Sequence, residues 1–314
     1  MSKTGKIILV FGILLMIVGT GVILLTIGKM SAENQKKAVT NNYDITEAVT
    51  DIDIKINTSN VEICDSVDGF KVECHESEKV THHVEVKDGT LYITKVDETK
   101  WYESVFQFDF TKYYVKIYLP AGDYNNLIVD NSTGKFDARG AFSFQNATIK
   151  CSTGKVSLIC KVYNDLKISI STGDVYLDSV NSKNIVVEGH TSDINLVEGN
   201  SENIEITTST GDIHVKNVNS NVINVKADTG HVTLTNVIAN DTFTIETSTG
   251  DVDFLGIDAG TFEITTSTGD VRGTMLTEKV FICSSTGRIN VPESINGGKC
   301  KITTSTGNII ITIE

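Results

Sequence analysis

The sequence predicts an all-β chain: a single-stranded parallel β-helix, or β-solenoid, of about 19-residue coils, preceded by one transmembrane α-helix. Three observations lead there. A polar turn of the type "TTSTGDI" recurs at a nearly fixed interval, two apolar columns flank each copy, and an uncharged apolar run opens the chain.

Aligned on its glycine, the turn falls at Gly134, Gly154, Gly173, Gly211, Gly230, Gly250, Gly269, Gly287 and Gly307, with Ser192 taking the glycine position in "HTSDI". A period of this size marks a repeat architecture, in which each unit cannot bury its own apolar face and must stack on its neighbours. The apolar column seven residues before the glycine runs from Leu127 to Cys300, and the one five before it from Val129 to Ile302; Val280 and Ile282 hold these places in the Gly287 copy. After the glycine come pairs such as Val175 and Leu177, Ile213 and Val215, or Val252 and Phe254. Alternation with period two on both sides of the turn reads as two short half-buried strands per repeat, joined at a corner. Equivalent strands of successive coils then run in parallel, ten coils making a rod of about 48 Å.

At the corner, glycine accepts positive φ without steric cost, while Ser, Thr and the Asp that often follows bond to the turn backbone. The position after the glycine is mixed, running Lys135, Lys155, Asp174, Asp193, Asp212, His231, Asp251, Asp270, Arg288 and Asn308, and Arg288 is expected beside Asp270 as an offsetting pair. Calcium-binding repeats carry a far denser Gly/Asp pattern, so this column is read as turn chemistry and no metal ligands are assigned.

The N-terminal part divides into a cytoplasmic arm (1–6), a transmembrane helix (7–28) and a polar tether (29–42). The uncharged run 7–27 is about 32 Å long as a helix, enough to cross a bilayer core, and "GKMSAENQ" after it is a poor cleavage site. Irregular β coils follow as a cap over 43–125, then the regular solenoid over 126–314. Residues 51–63 repeat the pattern in degenerate form, with Ile52, Ile54, Val61 and Ile63 inward and Ser59 at the glycine position. Strands read at 70–74, 83–86, 91–96 and 113–119 fill the interval to Gly134, so the solenoid is expected to begin with longer coils laid down in chain order.

A net charge of −13 on 314 residues argues against nucleic acid as a partner. The six cysteines form no disulfide framework: Cys300 and Cys151 fall at inward positions, and Cys64 and Cys74 have opposite phases in the hairpin expected to join them. Three scattered arginines and neighbouring histidines such as His82 and His83, which a strand points to opposite faces, supply no clustered acid and base, so no catalytic or cofactor-binding residue is assigned.

Two contact candidates remain. The stretch 101–118 reads "WYESVFQFDFTKYYVKIY"; Trp101, Tyr102, Phe106, Phe108 and Phe110 either pack over the first regular coil or form an exposed patch for a protein, a glycan or the outer membrane leaflet. After Gly307 only "NIIITIE" remains, so the last coil is expected to leave an open edge, with Ile310 and Thr312 available to another protein or to a second copy.

The apolar N-terminal segment, the degenerate strands, "VKIYLPAG" at 115–122 and the serial "STGD(V/I)" turns with paired aliphatic strands resemble the DUF4097 β-strand-repeat family, described as "putative adhesins". The resemblance covers about 49–314. It implies a bacterial surface or membrane-associated β-solenoid, with some relatives linked to cell-envelope stress systems, and carries over no catalytic residue. The expectation is therefore a single-pass membrane protein, its bulk extracytoplasmic, that binds or scaffolds an unknown protein or a cell-surface glycan without a cofactor. An accessory or sensor of an envelope-stress system is the alternative, and a β-helical carbohydrate-active enzyme the less favoured one.

Overall fold

The computed structural model describes residues 13, 16–18, 20–21 and 38–314, apart from 78–79 and 98–112. Residues 13, 16–18 and 20–21 are helical; the rest of the segment expected to anchor the chain lies outside the described residues, and among the described ones no helix is long and apolar enough to cross a membrane.

At the N-terminal end, β1 (Val39–Ile45) precedes β2 (Asp51–Thr58) and β3 (Asn60–Ser66), which form two sides of one coil with Ser59 at its corner. Ile52, Ile54, Ile56, Val61 and Ile63 fill its interior, as their alternation requires. This coil rests directly on the next regular one, β8 (Asp123–Thr133) with the start of β9 (Phe136–Thr153), in the register Ile52↔Leu127, Thr58↔Thr133 and Val61↔Phe136. The intervening chain therefore adds no coils in sequence order, contrary to expectation. It passes outside instead: β4 (Phe70–Glu76), β5 (Val80–Lys87), β6 (Thr90–Asp97) and β7 (Tyr114–Pro120) build the outer cover. β6 and β7 repeat the inward alternation, with Leu91, Ile93, Val115 and Ile117 buried, and so match the open face of the β2–β3 coil. Antiparallel strands finish the edge, β5 on β6 and β4 between β1 and β7.

The central coils comprise β10 (Val156–Thr172), β11 (Val175–Asp178), β12 (Ser182–Thr191), β13 (Ile194–Thr210), β14 (Ile213–Thr229), β15 (Val232–Thr249) and β16 (Val252–Thr268). They pair in parallel and column on column, for example Ile204↔Ile223 and Ile206↔Val225, as the sequence columns predict. Gly211 shows why glycine holds the corner. Its φ is +133°, and a Cβ there would overlap the Ser192 carbonyl of the preceding coil, whose corner it stacks on. A second corner, not anticipated, lies six residues after the glycine, where Ser179, Glu198, Asn217 and Asn236 take φ of +53° to +57°. Beyond it an inward serine column satisfies the bend: Ser220 Oγ donates to the carbonyls of Glu202 and Val222, both at 3.1 Å.

The C-terminal end also departs from chain order. After β17 (Val271–Met275) come β18 (Lys279–Ser284), β19 (Ile289–Asn290), β20 (Gly298–Thr306) and β21 (Ile309–Ile313). β20 stacks on β16 and β21 on β17, while β18 and β19 stack on the outer side of β20 and β21. The last coil in the chain thus slides between the Gly269 and Gly287 coils. The reason is a register slip: Phe281, not Val280, lies opposite Cys300, so Phe281 and Cys283 face the core while Val280 and Ile282 are 36% and 51% exposed. A one-residue slip exchanges the faces of a strand. The better-patterned final copy, with Cys300, Ile302, Ile309 and Ile311 buried, takes the place against the stack, and the weaker copy becomes the lid. Three expectations are corrected accordingly: Val280 and Ile282 are not inward, Arg288 neighbours Asn308 rather than Asp270, and the final coil is not an open end.

Candidate functional site

The repeated turn is structural. In the position after the glycine, Asp193, Asp212, Asp251 and Asp270 each accept, through Oδ1, the backbone N–H of the same position one coil on, at 2.6–2.8 Å. Their carboxylates bind turn to turn across coils, where the sequence suggested a bond within one turn. The inward residue three before the glycine adds a second clasp, as Thr208 and Thr304 donate to the corner carbonyls of Ser192 and Gly269, both at 3.1 Å.

Of the two expected contact patches, Trp101, Tyr102, Phe106, Phe108 and Phe110 lie outside the described residues. At the other, Ile310 is paired on both sides, with Arg272 and Asn290, and Thr312 meets Thr274 across the same ladder, their hydroxyls 3.1 Å apart.

The remainder of the aromatic stretch lines a different feature. β7 alternates Tyr114, Lys116 and Tyr118 outward with Val115, Ile117 and Leu119 inward, and β4 offers Lys71, Glu73 and His75 opposite them. In the order β1–β4–β7–β3–β9 these outward residues make a polar-aromatic face. His75 stacks on Tyr114, ring centroids 5.2 Å apart and planes 5° from parallel. Glu73 sits between the two phenols, accepting from Tyr114 at 2.9 Å and Tyr118 at 3.4 Å, and Lys71 and Lys116 lie over the Tyr118 ring. Burial, followed by the bond to Glu73, raises the Tyr114 hydroxyl pKa; at Tyr118 burial again leads, with Lys116 opposing. Burial, the largest single influence, pulls the Lys116 pKa down, but the bond to Glu62, 3.3 Å away, and the charges of Glu62, Tyr118 and Cys64 together outweigh it and raise that pKa.

Glu62, Glu73, Tyr114, Lys116 and Tyr118 border a groove of about 360 Å³, whose far wall is Lys135, at the corner before β9, and Asp137 on β9. Asp137 Oδ2 is held by Lys135 at 2.5 Å and Arg139 at 3.5 Å, whereas its buried Oδ1 has no partner among the described residues. Such an acceptor costs about 1–3 kcal/mol unless a donor reaches it. The alternation in β7 was legible in the sequence; Glu73 and Asp137 were not, since they arrive through the out-of-order β4 and β9 pairings.

Behind the same cap lies a second cluster that sequence reading missed. Cys74 and Glu76 point inward from β4 in phase with Val72, and His82 points inward from β5; all three are buried, with one potential ligand atom from each lying within 4.8 Å of the others. Glu76 Oε1 accepts from the His82 backbone N–H at 2.5 Å and lies 3.1 Å from His82 Nδ1, while Asn41 donates to Oε2. Burial, reinforced by Glu76 and Glu73, pushes the Cys74 thiol up to about 12, and burial lowers the His82 imidazole against the pull of Glu76. The available signal was Glu76, a carboxylate in an otherwise apolar phase. All six cysteines are free thiols.

No curated protein matches the chain. A "putative adhesin" from Parabacteroides merdae is 17% identical with a TM-score of 0.51, covering 77% of this chain and 97% of its own, which shows a shared fold. A "putative lipid binding protein" from Parabacteroides distasonis aligns over 89% of this chain and 98% of its own at 16% identity and a TM-score of 0.44. A Bacteroides fragilis "putative adhesin" aligns over 90% and 99% at 15% identity and 0.37. The family model described as Toastrack DUF4097 matches residues 49–221 and 201–314, the whole β region from just before β2 to the last residue, and the chain belongs to that family.

Proposed function

We propose that the chain is a non-catalytic binding protein of the cell surface, anchored by residues 7–28 with its solenoid outside the cytoplasm, and that it takes a hydroxyl-rich glycan in the Tyr114–Tyr118 groove. The observation that carries this reading is a groove in which Tyr114 and Tyr118 stand beside Glu73, Lys116, Lys135 and Asp137. Sugar hydroxyls donate to carboxylates such as Asp137 and Glu73 and accept from Lys116 and Lys135. The apolar faces of a pyranose suit phenol rings, which are apolar in body and polar at one tip. The turn carboxylates are committed to joining coils, so the regular body serves as a rigid support. The "putative adhesin" name of the Parabacteroides merdae protein agrees with a binding role.

One observation favours the second reading, an accessory or sensor component at the membrane. The groove belongs to the N-terminal cap, and β1 begins at Val39, a short polar stretch after the apolar run. Both readings are tested with the purified full-length chain in detergent, titrated with soluble cell-wall polysaccharide fragments. Saturable binding is expected, weakened about tenfold by Tyr114→Ala or Tyr118→Ala, a loss of about 1.4 kcal/mol. A chain that binds no fragment, yet crosslinks from position 118 to a membrane protein in whole cells, would replace the glycan reading with the second one.

A further inference from the structure

We infer that Cys74, Glu76 and His82 form a binding site for one Zn²⁺ ion, which pins the N-terminal cap to the first coil. A thiol, a carboxylate and an imidazole converge there, each buried and each offering one ligand atom within 4.8 Å of the others. Zn²⁺ bonds of about 2.0–2.3 Å to such atoms need only a small closing of the side chains, leaving a fourth tetrahedral position to water. The mixed sulfur, nitrogen and oxygen set suits Zn²⁺ and not the all-oxygen preference of Ca²⁺ or Mg²⁺.

The surroundings are also those of a metal site. Ligating carboxylates and imidazoles are oriented by outer hydrogen bonds. Asn41, from β1, holds Glu76 Oε2, and the His82 backbone N–H holds Oε1. His82 Nε2, the nitrogen facing away from Glu76, lies 3.5 Å from Ser59 Oγ at the corner of the β2–β3 coil. One ion would therefore join β4 and β5 directly, and β1 and the first coil through their outer contacts. On binding, the Cys74 proton leaves to solvent, the Glu76–His82 contact opens to admit the ion, and both side chains turn their lone pairs to it.

The test uses the full-length chain in detergent, stripped with chelator, then titrated with Zn²⁺ alone and, in parallel, with Co²⁺, whose thiolate charge-transfer absorption reports sulfur ligation. One ion per chain is expected, with the thiolate band present and the melting temperature raised by Zn²⁺ but not by equal Ca²⁺ or Mg²⁺. Cys74→Ala, which leaves the Glu76–His82 pair in place, should abolish the band. Asn41→Ala should weaken affinity about tenfold. Cys64→Ala, at a half-buried thiol on β3, should change neither. Wild-type chain that takes up no ion from excess Zn²⁺ would overturn the site whatever the variants do. So would a stoichiometric thiolate band that survives Cys74→Ala, because the metal would then lie elsewhere.

Discussion

Gly189 and Ser192 exchange the usual roles within one coil. In the other coils from Gly134 onward glycine stands at the corner, and a side chain such as Thr208 or Thr304 fills the inward place three residues earlier. Here Ser192 turns inward, 2% exposed, and a Cβ at Gly189 would stand 2.8 Å from its own. Gly189→Thr alone should overpack that space and cost about 1–3 kcal/mol. Combined with Ser192→Gly, which restores the arrangement of the other coils, most of that loss should return, so denaturant melts of the two single variants and the double should show coupling above about 1 kcal/mol. Strict additivity would mean that the two positions do not share the space. The serine was visible in the sequence as an exception to its column. Its compensation was not, because it depends on which way one side chain turns at the corner.

At the scale of the strand, the slipped β18 gives a test that the repeat alignment answers the other way. Column matching puts Ile282 inside; the register puts Phe281 against the core and leaves Ile282 51% exposed. Phe281→Ser should therefore destabilise by about 1–3 kcal/mol, whereas Ile282→Ser should stay within about 0.5 kcal/mol. Thermal melts in which Ile282→Ser is the more damaging would restore the unslipped register. The joint between β16–β17 and β20–β21 carries a pH dependence. The Asn308 N–H bonded to Asp270, then the Asn308 side-chain amide and Arg272, hold the Asp270 carboxyl below its ordinary pKa against the opposing effect of burial. A lowered folded-state pKa gives stability that is present above the unfolded value of about 3.9 and is lost as pH falls through the folded one. Hydrogen-exchange protection at the Asn308 amide should accordingly fall on acidification below about pH 4, and Asp270→Asn, which keeps an oxygen acceptor, should remove that step. Protection that falls equally in the variant would assign the acid step to another group.

Across the whole molecule, the first and last repeat copies both lie one coil inside the stack, each covered by a neighbour in sequence that is less regular. The β2–β3 coil is covered by β6 and β7, and the β20–β21 coil by β18 and β19. An open solenoid end exposes unpaired backbone and a slice of core. Here the copies with the best inward pattern sit against the stack, and the irregular ones, with antiparallel strands at the N-terminal end, form the covers. The coil type, the parallel pairing, the glycine corners and the buried columns were legible in the sequence because each depends on residues within one period. The coil order was not, since a period of about 19 residues fixes which faces match but not which copy meets which. The tyrosine groove and the Cys74–Glu76–His82 cluster were hidden for the same reason, both being assembled by strands that leave the chain-order path. The most direct test of this order is disulfide capture at the C-terminal end. Arg272 and Ile310 are register partners on adjacent strands, whereas Asn290 is the partner of Ile310 on its far side, about 9.6 Å from Arg272 at two strand spacings. Since Cα atoms more than about 7 Å apart cannot be bridged, oxidation should crosslink Arg272→Cys/Ile310→Cys and leave Arg272→Cys/Asn290→Cys open, as read by peptide mapping. The reverse result, a bridge from position 272 to 290 and none to 310, would contradict the account by showing that the coils stack in the order of the chain.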